Sequence, residues 1–146
     1  MDAAGPAILF VHRSITLRAR VCMGLWQLGY WADVVATLQR AFAALQYGRY
    51  ELIFIELALQ HGSGYDAVQK IRDIEAMHRI PASVICAIGQ IFDDAMLKGD
   101  GVQGVSFSIS ADCAQHELRE AVGIAEAVCA ARGLIKGGAG ENSDCG

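Results

Sequence analysis

Proline is nearly absent from this chain, 2 in 146 residues, so polyproline segments and long extended loops are not expected. Charge is sparse as well: 19% of residues are Asp, Glu, Lys or Arg, with a formal net charge of -4. At a pI near 5.5 there is no basic footprint for nucleic acid, and a mildly acidic surface is not drawn to anionic membranes. Long apolar runs are also missing. The hydrophobic stretches are short and broken by Gly or charge, far below the roughly 20 apolar residues of a membrane span. Met1 to Pro6 carries no basic segment, so a signal peptide is not expected. No Cys-x-x-Cys pair occurs. The five cysteines, at 22, 86, 113, 129 and 145, are odd in number and widely spaced, which argues against a disulfide framework and against zinc. Reduced thiols in the cytoplasm are the expectation, with Cys22, Cys86 and Cys129 acting as small core residues.

What is present is apolar material: 53% hydrophobic residues and a mean hydropathy of +0.31, enough for one well-filled core. The length suits a single domain. Ala7 to Val11, Ala32 to Ala36, Leu52 to Ile55, Ser83 to Ile88 and Gly104 to Ser108 read as short strands, several of them continuous apolar runs of the kind found in sheets covered on both faces. Between them the apolar spacing turns helical. Leu17, Val21, Leu25 and Leu28 recur every three or four residues, then Leu38, Ala41, Phe42 and Leu45, then Val68, Ile71 and Ile74. A weaker helix is expected over 92–98. The last runs to about Ala131 with Leu118, Val122, Ala125 and Cys129 as its stripe, Ser110 as its N-cap and Asp112 near its positive end. The expected organisation is an extension over 1–6, a domain over 7–131 and a flexible Gly-rich tail over 132–146.

Strands alternating with helices imply an α/β fold: a three-layer, doubly wound (βα)5 sandwich around a five-stranded parallel sheet. Sites in such sheets lie beyond the carboxyl ends of the strands. Here those ends carry His12 and Arg13, Glu56, Cys86 with Ala87, and Ser108.

The pattern resembles the receiver domain of response regulators in two-component signalling, over about residues 7–131. The carrying segments are Ile8-Leu-Phe-Val11, Leu28-Gly-Tyr30, Gly48-Arg-Tyr-Glu-Leu-Ile-Phe-Ile-Glu56, Gly64-Tyr65, Ile80-Pro81 and Gly101-Val-Gln-Gly-Val105. The resemblance implies a flavodoxin-like strand order 2-1-3-4-5, as in chemotaxis regulators. Receivers hold Mg²⁺ with an acidic pair after the first strand; His12 and Arg13 stand there. Their phosphoacceptor Asp is matched by Glu56. Their Thr or Ser after the fourth strand is matched by Cys86 when counted from Pro81, or by Ile88 with a two-residue slip. Ser108 and Ile109 replace their Lys-Pro pair, and Val105 replaces the switch aromatic. The expectation is a degenerate receiver, or pseudo-receiver: no enzyme, no cofactor, no phosphotransfer and no Mg²⁺, since Arg13 repels a divalent cation and one carboxylate is a poor site.

Each of these residues has more than one reading. Glu56 is a structural carboxylate with a fixed partner, a mimic of phosphoaspartate, or a slow phosphoacceptor. Arg13 is that partner, as a bidentate fixed cation, or a solvated loop arginine. His12 is a pH sensor or a half-buried, satisfied ring. Cys86 is a redox thiol helped by Arg13, or a filler of the threonine slot. Trp26, Trp31 and Tyr47 are a partner surface or ordinary packing.

The leading expectation for function is a phosphorylation-independent protein-interaction module. Its partner would be a histidine kinase, an output domain or another receiver. Receivers commonly dimerise through the last two helices and the fifth strand, and the resemblance implies that homodimer here. The alternative is a phosphoacceptor response regulator using Glu56. A cofactor-binding enzyme lacks its Gly-rich phosphate loop, and a cyclic-dinucleotide effector rests only on Arg13, Arg18 and Arg20.

Overall fold

The computed structural model describes residues 5–56, 64–89 and 105–133. Its strands are β1 (Ile8–Val11), β2 (Ala32–Val35), β3 (Leu52–Glu56), β4 (Val84–Ile88) and β5 (Val105–Ile109). Its helices are α1 (Ile15–Gln27), α2 (Leu38–Tyr47), α3 (Gly64–His78) and α4 (Gln115–Ala131). All strand pairs are parallel, in the order β2-β1-β3-β4-β5. The doubly wound parallel sandwich expected from the alternation is therefore the fold observed. The weak helix expected over 92–98 lies outside the described residues, as does the tail expected over 132–146 from residue 134 onward.

The central strands are apolar throughout because helices cover both faces. On one face, Ile8, Phe10, Leu52, Phe54, Cys86 and Ile88 pack with Val21 and Leu25 of α1 and Leu118 and Val122 of α4. On the other, Leu9, Val11, Ile53, Ile55 and Ile85 pack with Ala41 and Leu45 of α2 and Val68 and Ile71 of α3. Burying each Val, Leu, Ile or Phe side chain among them contributes about 1.5–3 kcal/mol. Alternation along each strand thus assigns every residue to one layer.

Helix starts follow local chemistry in two cases. Ser14 and Thr37 cap α1 and α2 by accepting from the Leu17 and Arg40 amides. Gly29, at φ 95°, ends the α1 turn in the left-handed region that a Cβ disfavours. The start of α4 differs from expectation. Its N-cap is Ala114, which has no side-chain bond, and the Ser110 hydroxyl instead meets Glu117 and Asp112. Cys113, at φ 51°, turns the chain between β5 and α4, so the helix begins five residues after Ser110. Cys22 also departs from expectation: it is half-exposed on α1, whereas Cys86, Cys113 and Cys129 are buried.

Candidate functional site

The chain leaves β1 toward β2 on one side and returns to β3 on the other, so the sheet has a switch point between β1 and β3. Their carboxyl ends open into a crevice there. His12 and Arg13 follow β1, and Glu56 closes β3.

These three side chains meet. The Arg13 guanidinium Nε lies 3.5 Å from Glu56 Oε2, and His12 Nε2 lies 3.6 Å from the same oxygen. The Arg13 amide donates to Glu56 Oε1 at 3.4 Å. The pair therefore uses a backbone amide and Nε, in place of the bidentate fork that the sequence suggested. Glu56 is 12% exposed while Arg13 is 54% exposed, so the ion pair faces water on one side.

His12 is nearly enclosed, at 8% exposure. Its ring lies parallel to Phe10 with centroids 5.9 Å apart. Nδ1 accepts the Ser14 amide at 3.0 Å, which places the neutral ring's proton on Nε2, toward Glu56. The His12 carbonyl accepts from Arg18 Nη1 at 2.9 Å. Burial, chiefly, holds the imidazole pKa below its usual value; Arg13 and Arg18 push the same way, and Glu56 opposes them.

Two strand-end positions do not join the cluster. Glu56 pairs with Ile88, and Cys86 pairs with Phe54 two residues deeper, so Ile88 is the β4 residue beside the carboxylate. Cys86 is fully buried, and burial pushes its thiol well up, which disfavours the thiolate that a redox role requires. Ser108 is turned away. Between Ile85 and Cys86 the β5 partner advances two residues, from Val105 to Phe107. This bulge sets Ile109 opposite Ile88 and Ser108 opposite Ala87. The side facing Glu56 therefore receives Ile109, which is buried, while Ser108 is exposed on the opposite face.

The three arginines near α1 do not form an open anion site. Arg13 meets Glu56, Arg18 meets the His12 carbonyl and Arg20 meets the Asp112 carbonyl. Sequence reading missed the Ser14 amide bond to His12 and the reach of Arg18. A Ser at the N-cap two residues after a His was the available signal for the first.

A second feature lies on the outer side of α1. Arg18, Ala19, Cys22, Met23, Trp26, Trp31 and Val34 line an apolar groove of about 450 Å³. Trp26 and Trp31 meet edge to face at 6.2 Å and stay 62% and 60% exposed. A wider groove of about 680 Å³ between α2 and α3 contains none of the strand-end residues.

No family model and no curated protein matches the chain. Solved structures do. The chemotaxis response regulator CheY4 of Vibrio cholerae superposes with a TM-score of 0.67 at 18% identity, covering 82% of this chain and 97% of that one. A CheY-like receiver domain from Methylobacillus flagellatus gives 0.66 at 20% identity over 82% and 98%. The receiver domain of Saccharomyces cerevisiae Ssk1, solved with the histidine phosphotransfer protein Ypd1, gives 0.71 at 19% identity over 88% and 93%. The chain has the receiver fold.

The Mg²⁺ that the receiver resemblance implies does not fit the residues present. Among the described residues, Glu56 is the one carboxylate of the cluster, and a guanidinium stands 3.5 Å from it. Among the described residues, no group of three or more His, Cys, Asp or Glu side chains could hold a metal. None of the described helices is long and apolar enough to cross a membrane.

Proposed function

We propose that this chain is an atypical, non-catalytic receiver of a two-component or phosphorelay system, acting in the cytoplasm on a protein partner without being phosphorylated. The carrying observation is that the Glu56 carboxylate is already held by the Arg13 guanidinium and amide, with the His12 ring 3.6 Å away. Phosphoryl transfer to a carboxylate needs a metal to neutralise the transferring oxygens and donors to read the product. Here a fixed cation occupies the metal's electrostatic place. Ile88 and Ile109, which stand on the Glu56 side, offer no donor. Glu56 is accordingly a structural carboxylate that ties β3 to the turn after β1.

The kind of partner is suggested by the Ssk1 receiver, whose structure contains a histidine phosphotransfer protein. A kinase, an output domain or another receiver fits the same description. The Trp26–Trp31 groove is the surface we assign to it, because exposed tryptophans in an apolar groove are strong binding anchors. The receiver-type self-contact is a further surface of this proposal; of it, β5 and α4 are described.

The test is incubation with acetyl phosphate and Mg²⁺, read by intact mass. No added mass is expected. A phosphoryl adduct on Glu56 would overturn the proposal and establish the alternative, a response regulator with an unusual acceptor.

A further inference from the structure

We propose that His12 is a proton-operated latch: as the neutral ring it holds the turn between β1 and α1 closed, and on protonation it releases that turn and draws Glu56 away from Arg13. This rests on the reading of the crevice as one without a phosphoryl switch, and it supplies a different input to the same residues.

The geometry is that of a group with two incompatible bonding states. In the neutral state Nδ1 is an acceptor, and the Ser14 amide fills it at 3.0 Å. Ser14 is itself the N-cap of α1, its Oγ accepting from the Leu17 amide at 3.1 Å. The His12 ring therefore sets the position of the residue that starts the helix. A proton taken from solvent onto Nδ1 makes both ring nitrogens donors. The Ser14 N–H and the new Nδ1–H then point at one another with no acceptor between them, inside a nearly buried pocket. The turn has to open, and the Ser14 cap on Leu17 goes with it.

On the other side of the ring the same proton has the opposite effect. Nε2–H, 3.6 Å from Glu56 Oε2, becomes part of an imidazolium facing a carboxylate. Glu56 now has two cations competing for one oxygen, because Arg13 Nε lies 3.5 Å from Oε2. Arg13 is the exposed member and is the one displaced. Among the described residues, the charged groups facing His12 are Glu56 from β3, Arg13 from the turn and Arg18 from α1. The first favours the proton, and the two arginines and burial oppose it. The latch is therefore closed at neutral pH and opens in acid. Arg18 carries the change outward, since it bonds the His12 carbonyl and also lines the tryptophan groove.

The experiment is a titration of the full chain by nuclear magnetic resonance from about pH 7.5 to about pH 4.5, a window set by the ordinary titration range of histidine. It follows the His12 ring and the amides of Ser14 and Leu17. The ring is expected to titrate with a midpoint below 6.5, its unperturbed value. Both amides should move with that midpoint, and their exchange protection, corrected for intrinsic pH dependence, should fall about fivefold, as for one net hydrogen bond. In His12→Gln the side-chain oxygen can still accept from Ser14 but cannot titrate, so the two amides should become insensitive to pH. Should that variant fail to fold, Glu56→Gln serves, since removing the group that favours the proton should move the midpoint down. A ring that stays neutral throughout overturns the latch. So does a ring that titrates while Ser14 and Leu17 stay still. A phosphoryl adduct on Glu56 in the acetyl phosphate experiment would remove the function proposed above, while the titration of the unmodified chain would stand, so the two ideas fail separately.

Discussion

His12 departs from its reference behaviour in a direction with consequences for stability. Its folded pKa is depressed, chiefly by burial, so the folded state binds the proton less readily than the unfolded chain. Its contribution is therefore fully present above the unfolded pKa of about 6.5 and is lost as pH falls through the folded value. Urea denaturation should show stability decreasing as pH falls from about 6.5 to the folded value, and His12→Gln should flatten this part of the curve. Arg13 and Glu56 are a weaker pair. Arg13 is 54% exposed, so screening limits their coupling to about 0.5–1 kcal/mol. A double-mutant cycle with Arg13→Ala and Glu56→Gln measures it. Additive effects would mean that the guanidinium and the carboxylate ignore each other.

Among the elements, the helix starts differ in what they depend on. Ser14 and Thr37 each satisfy an amide of the first turn, so Ser14→Ala and Thr37→Ala should each cost about 1 kcal/mol in thermal or urea unfolding. Ser14→Ala keeps the backbone amide that His12 accepts, so the ring's environment should survive it. The α1–α4 joint depends on a small residue. Gln115 Nε2 donates to the Gly24 carbonyl at 3.0 Å, and a Cβ on Gly24 would come within 2.5 Å of Gln115 Oε1. Gly24→Ala therefore sets helix propensity, a gain of up to ~1 kcal/mol, against displacement of a side-chain bond worth about the same. The start of α4 shows where local reading stops. Ser110 has the right chemistry for a cap, but Glu117, one helical turn in, takes its hydroxyl and its amide. Nothing local ranks those two partners.

Among the described residues, two apolar layers enclose the sheet while the Trp26–Trp31 groove stays open. Phe54 is fully buried and tilted 56° at 5.8 Å against Phe10, the ring that stacks with His12. Phe54→Ala should cost about 3–5 kcal/mol by denaturant melt, with most of the loss from the cavity and broken packing. Trp26 and Trp31 should behave in the opposite way. Trp26→Ser and Trp31→Ser should change folding stability by no more than about 0.5 kcal/mol each, because both rings face water. If the groove is the partner surface, capture of a histidine phosphotransfer or kinase partner should weaken at least tenfold, the ~1.4 kcal/mol of a modest hot spot. Unchanged capture would move the partner surface elsewhere.

Much of this was legible in the chain itself. Continuous runs such as Leu52-Ile-Phe-Ile55 state that a strand is covered on both faces, because a half-exposed strand would alternate. The stripes at Val21 and Leu25 and at Leu118 and Val122 name the covering helices. Parallel strands joined by helices then leave the carboxyl ends as the place for chemistry, which put His12, Arg13 and Glu56 under suspicion together. What the chain by itself could not state was which strand ends share a face. A period of two assigns residues to alternate sides, yet a single bulge reverses the assignment for everything beyond it. The bulge in β5 sends Ser108 away from Glu56, and the β3–β4 register puts Ile88 where counting gave Cys86. Burial is equally nonlocal. Only the packed fold decided that His12 is enclosed and held neutral while Trp26 and Trp31, more apolar by composition, were left facing water, because burial depends on which neighbours the other strands and helices bring to each position.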